Sequence, residues 1–183
     1  MPVIRWLLWL LGGLLLGGIV HLATVLLLPR AATQDAYTRL TAVAPDNTIV
    51  SLPAPTPDDA ALPFMDPAFA TAVCRYDLAS GPIKLRVPVS QAYTAVSFYT
   101  RNGVAYYAIN DRAAGRRIIE LDLMTTQQRA QLPDDEEVTT ADRLIVESPT
   151  ATGLILVRTF SPERGLMPMA RRALLAAQCR QQS

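Results

Sequence analysis

The chain has 183 residues, half of them apolar and 18% charged, with a formal net charge of +1. That length points to one globular domain, and the near-neutral balance gives no electrostatic reason for a nucleic-acid partner. Lys84 is the only lysine and His21 the only histidine. Because His21 lies in the apolar N-terminal run, Ser-His-Asp, Cys-His and histidine-rich zinc sites are excluded from the rest of the chain. No metal or cofactor is expected, and an enzyme is the less favoured reading.

From Trp6 to Leu28 no side chain is acidic or basic apart from His21. At about 1.5 Å per residue such a helix spans a hydrocarbon core of about 30 Å. Trp6 and Trp9 suit a membrane interface, and Arg5 and Arg30 bracket the run. The apolar stretch exceeds the ~7–15 residues of a cleaved signal peptide, so the expectation is an uncleaved signal anchor. The positive-inside rule favours a cytoplasmic N-terminus and an exported C-terminal part, which in a bacterium means the periplasm. Gly13 and Gly17 have GxxxG spacing, which offers a homodimer through this helix. His21 has no charged partner in the segment, and it reads as a neutral residue facing a neighbouring helix or the headgroups.

A short helix is expected within 31–43 and a strand from Asn47 to Leu52. Pro53, Pro55, Pro57, Pro63 and Pro67 then fix φ and remove amide donors, the composition of an extended linker or surface loop. Ile83, Leu85, Val87 and Val89 alternate with Lys84, Arg86 and Pro88, and Ile119, Leu121 and Leu123 alternate with Glu120 and Asp122. Both are half-buried strands by their period of two. Leu144–Val146 and Leu154–Phe160 are further strand runs.

Asn102-Gly103 predicts a two-residue hairpin with Arg101 opposite Val104 and Tyr99 opposite Tyr106. Val96, Phe98, Tyr107 and Ile109 then face a core, and Ser97, Tyr99, Arg101, Tyr106 and Asn110 share the other face. A second turn is expected around Asp111–Gly115, and a short helix from Thr125 to Gln131. Leu166–Gln178 predicts a longer helix, with Pro168 in its first turn and Ala170, Ala173, Leu174 and Ala177 on one face.

The predicted class is α+β: a mainly antiparallel, sandwich-like β domain with a C-terminal helix, preceded by one transmembrane helix. The corresponding boundaries are 1–30 for the anchor, 31–67 for a juxtamembrane helix and Pro-rich linker, and 68–183 for the β-rich domain. Cys74 and Cys179 are the only cysteines; the second ends the last predicted helix. In an oxidising compartment they form a disulfide, and in a cytoplasmic domain they are two buried thiols; the residues leave both readings open.

Tyr99, Arg101, Tyr106 and Asn110 on the polar hairpin face are the candidate ligand-binding residues. Cross-strand aromatic pairing without a ligand is the plainer explanation of the two tyrosines. Asp134-Asp135-Glu136-Glu137 lacks the glycine-punctuated spacing of a calcium loop and reads as a solvated turn. Lys84 sits on the solvent face of its strand, which disfavours a role as catalytic base.

The N-terminal anchor is followed in order by Ala72-Val73-Cys74-Arg75-Tyr76-Asp77-Leu78, Val96-Ser97-Phe98-Tyr99, Tyr106-Tyr107-Ala108-Ile109-Asn110-Asp111-Arg112 and a late cysteine. Together these resemble small alphaproteobacterial membrane proteins of the group called domain of unknown function 1254. The resemblance implies a bacterial inner-membrane location and a β-rich exported domain, and it supports pairing Cys74 with Cys179. It brings no catalytic residues. The leading expectation is a non-enzymatic domain that binds a protein of the envelope. The alternative is a small-ligand or enzymatic site on the Tyr99/Tyr106 face.

Overall fold

The computed structural model describes residues 2–31, 35–56, 58–90, 92–112, 117–132 and 144–182. The chain divides into two compact units, Met1–Asp35 and Ala36–Ser183. The first is built on helix α1 (Pro2–Ala31), of which Pro2–Leu28 is long and apolar enough to cross a membrane. Its side chains from 2 to 28 are exposed, apolar ones included.

The second unit begins with the short helix α2 (Ala36–Leu40) and strand β1 (Ile49–Ser51). Strands β2 (Phe69–Asp77), β3 (Ile83–Pro88), β4 (Thr94–Thr100), β5 (Ala105–Asn110) and β6 (Ile118–Thr125) follow. Helix α3 (Thr126–Arg129) and strands β7 (Leu144–Ser148) and β8 (Thr152–Phe160) come next, and the chain closes with α4 (Met167–Leu175) and β9 (Gln178–Gln181). One sheet has the order β1-β2-β8-β4-β5 and the other β7-β6-β3-β9. Among the described strands the pairings are antiparallel except β6 with β7, which is parallel.

The alternation read in β3 is realised directly: Ile83, Leu85 and Val87 are buried while Lys84 and Arg86 are exposed. β6 lies beside it with Ile119, Leu121 and Leu123 inward, and Lys84 Nζ meets Glu120 Oε1 at 2.6 Å on the solvent side. These inward residues pack against Ala72, Tyr76, Val96, Phe98, Ile155 and Val157 of the five-stranded sheet. Burying a large aliphatic or aromatic side chain contributes about 1.5–3 kcal/mol, so this shared layer is the main source of stability. Ala170 and Leu174 of α4 add to the same core, with Pro168 in the first turn where its missing amide is not needed. α3 carries a capping box, Thr125 Oγ1 accepting from the Gln128 amide and Gln128 Oε1 from the Thr125 amide.

One expectation is corrected, and one strand carries no alternation to mark it. The predicted helix ends at Leu175, and Cys179 lies on β9, opposite Leu85 of β3. Strand pairing there satisfies backbone groups that a longer helix would have satisfied internally. Phe69–Asp77, which precedes the first strand read from the alternation, is itself a nine-residue strand beside β8. It shows no alternation because both of its faces are covered.

Cys74 of β2 and Cys179 of β9 form a disulfide with Cα atoms 6.5 Å apart, tying one sheet to the other across the core. The bridge closes a separation of 105 residues. The chain-entropy model assigns a loop of that size about 4.7 kcal/mol.

Candidate functional site

The β4–β5 hairpin differs from its expected register, and the difference decides where the candidate site residues point. A two-residue type I′ loop needs positive φ at both central positions, yet of Asn102 and Gly103 only the glycine has it, at 78°. Thr100 instead closes on Val104: its amide donates to the Val104 carbonyl at 2.9 Å, and the Val104 amide donates to Thr100 Oγ1 at 3.1 Å. The loop is therefore Arg101-Asn102-Gly103, a three-residue turn with glycine in the left-handed position. Tyr99 pairs with Ala105, Phe98 pairs with Tyr107, and Tyr106 is the extra residue of a bulge.

The bulge turns Tyr106 inward. Its ring lies 6.2 Å from that of Phe98, and its hydroxyl donates to the Tyr76 hydroxyl at 3.2 Å. The Tyr76 hydroxyl donates to the Tyr99 carbonyl at 3.2 Å and lies 2.9 Å from Ser148 Oγ, which links both sheets at one end of the core. Burial pushes the Tyr106 phenol far above its ordinary value; the Tyr76 hydroxyl adds to the rise and Ser148 opposes it. At neutral pH the Tyr106 phenol is therefore uncharged. Gly153 makes it possible, because a Cβ there would collide with the Tyr76 hydroxyl and the Tyr99 carbonyl.

Tyr99 and Arg101 take the opposite direction. Tyr99 packs on the outer face of the five-stranded sheet against Val73, Leu154 and Leu156. Residues 36–66 lie over this patch through Tyr37, Leu40, Ala44, Leu52, Leu62 and Met65. The Tyr37 ring receives two guanidinium groups, with Arg101 Cζ 4.3 Å and Arg75 Cζ 4.6 Å from its centroid. Arg75 is 7% exposed and bonds the Ala44 carbonyl at 3.1 Å and Asp46 Oδ1 at 2.9 Å. A charge so buried is tolerated because it is paired and hydrogen-bonded, and here it pins the chain before β1 onto the sheet.

Asn110 stands apart from the other three. It lines an open depression of about 420 Å³ on the uncovered part of the same outer face, with Tyr93, Ala95, Ser97, Ala108 and Arg158. Thus Tyr106 belongs to the inner core, Tyr99 and Arg101 to the covered outer patch, and Asn110 to the depression. Arg158 and Tyr93 escaped the sequence reading because no local motif contains them; cross-strand register brings them to Asn110. The Asp134–Glu137 run lies outside the described residues, as does much of the predicted Asp111–Gly115 turn. Among the described residues no cluster of three or more His, Cys, Asp or Glu side chains is placed to hold a metal.

The fold is a two-sheet, disulfide-bridged β sandwich with a helix packed on its core, in a chain that also carries an apolar helix of membrane-spanning length. The chain belongs to the family of proteins of unknown function DUF1254, whose model matches residues 46–180. No curated protein matches it. A crystal structure of a Vibrio parahaemolyticus protein is similar at 13% identity and a TM-score of 0.56, covering 80% of this chain and 34% of that one. A structure of an uncharacterised Burkholderia cenocepacia protein covers 69% of this chain and 34% of its own, at 11% identity and a TM-score of 0.47. The chain thus spans 34% of the length of each, and the Vibrio likeness is one of fold.

Proposed function

We propose that this protein is a single-pass protein of a bacterial inner membrane whose β domain faces the periplasm and binds another protein of the envelope without catalysing a reaction. The observation that carries this reading is the cross-sheet bridge between Cys74 and Cys179. Such bonds persist in oxidising compartments and are rare in the cytosol, so a bridged domain following a membrane-length helix fits export past an uncleaved anchor. Gly13 and Gly17 have the GxxxG spacing that lets a second helix approach closely, and a homodimer through that face is part of the proposal.

Crosslinking of the tagged full-length protein in its own membranes, followed by purification and mass spectrometry, tests the reading. One reproducible envelope protein, with crosslinks mapping to residues of the β domain, is the expected result. A clean preparation with no crosslinked partner overturns it.

A further inference from the structure

The depression on the outer sheet face has features that a protein-interaction role leaves unused. Strand register sets its floor and two of its walls. Ala95 of β4 pairs with Asn110 of β5 on one side and with Arg158 of β8 on the other. With neighbouring strands about 4.8 Å apart, Arg158 and Asn110 are separated by about 10 Å across a residue that has only a methyl group. Ser97, two residues on from Ala95 and on the same face, pairs with Ala108, so the next row of the floor is also small. Tyr93 stands on this face at 45% exposure and supplies an aromatic wall.

The polar groups here are short of partners. Ser97 is 9% exposed and lines the depression, and among the described residues its hydroxyl makes no hydrogen bond. A hydroxyl on the floor of an open depression is placed to donate to a ligand atom. Among the described residues that line the depression, Arg158 is the charged one. Its contact is with the Phe69 ring, 5.8 Å from guanidinium carbon to centroid, and among the described residues no acidic side chain takes its N–H fork. Asn110 uses its Oδ1 to accept from the Arg112 amide at 3.1 Å, keeping its amide hydrogens available. Guanidinium, hydroxyl and amide donors thus surround a small-residue floor, with no carboxylate among the described lining residues.

We infer that this depression is a binding site for a small organic carboxylate, held by the Arg158 fork with Ser97 and Asn110 as further donors and Tyr93 beside its apolar body. Planar, two-point recognition is what arginine offers a carboxylate and a point charge does not. The site is independent of any protein partner.

The test is a titration of the full-length protein in detergent with benzoate, benzamide and inorganic phosphate, read by saturation-transfer NMR of the probe. Benzoate is expected to bind saturably, with benzamide and phosphate each weaker by at least about tenfold. Arg158→Gln and Ser97→Ala are each expected to weaken benzoate by about tenfold while thermal unfolding stays at the wild-type midpoint. Equal binding of benzoate and benzamide, equal binding of phosphate, or benzoate binding unchanged in both variants would each overturn the inference. So would an absence of saturable benzoate binding.

Discussion

The outer face of the five-stranded sheet has a covered part and an open part, built on the same strands. On β8, Leu154 and Leu156 lie under residues 36–66, while Arg158 projects at the depression. On β4, Tyr99 is covered, while Ser97 and Ala95 form the floor of the open part. The side chains explain the division. Leu154, Leu156 and Val73 carry enough apolar area to repay the ordering of a proline-rich segment over them, about 25 cal/mol for each Å² removed from water. Ala95, Ser97 and Ala108 do not. Cover follows apolar area, and polar donors are left where cover is absent.

The largest expected effect acts beneath both parts. Replacing Cys74 and Cys179 together by serine is expected to remove about 4–5 kcal/mol of unfolding free energy, measured as a lower midpoint in guanidinium. Because the bridge ties the two sheets through the inner core, amide exchange should accelerate in β4 and β8 alike. Acceleration confined to the segment over Leu154 would break the comparison.

Next in size is the contrast between the parts themselves. Leu154→Ala should cost about 2–4 kcal/mol, as expected for a buried leucine under a packed cover. Ser97→Ala in the open part should stay within about 0.5 kcal/mol of wild type. Equal costs in a denaturant series would show that residues 36–66 do not lie over the sheet in solution.

Tyr37→Leu sharpens the same boundary. It retains an apolar side chain but removes the ring from under Arg75 and Arg101, at an expected cost of about 1–2 kcal/mol. Protection from amide exchange should fall in 49–52 while β3 and β6 are unaffected; no local change would refute the pinning role.

The smallest effect concerns pH. Burial holds the Tyr106 phenol protonated when the unfolded chain would release its proton, so the folded state binds more protons in alkali. Its contribution is complete below the ordinary phenol range near pH ~10 and declines as pH rises above it. Tyr106→Phe should flatten that alkaline decline in unfolding curves, and an unchanged slope would contradict an inward-facing Tyr106.

Elements with one exposed face were legible in the sequence. Lys84 and Arg86 mark β3 by interrupting its apolar residues, and Ala170 with Leu174 mark the buried stripe of α4. β2 was harder because burial on both sides erases the period of two, leaving an unpatterned run through Val73 and Cys74. The hairpin was visible as Asn102-Gly103, but its loop length was not. Choosing a three-residue loop moved Tyr106 from the outer face to the core. The depression could not be read at all, since Arg158, Ala95 and Asn110 meet only through the order of β8, β4 and β5.

The most direct measurement is the redox state of Cys74 and Cys179 in protein taken from its own membranes. Thiols are trapped by alkylation under denaturing conditions before and after reduction, and mass spectrometry counts the label. An exported, bridged domain predicts that both cysteines take up label only after reductant. Full labelling of both without reductant would contradict the bridge and, with it, the periplasmic placement of the β domain.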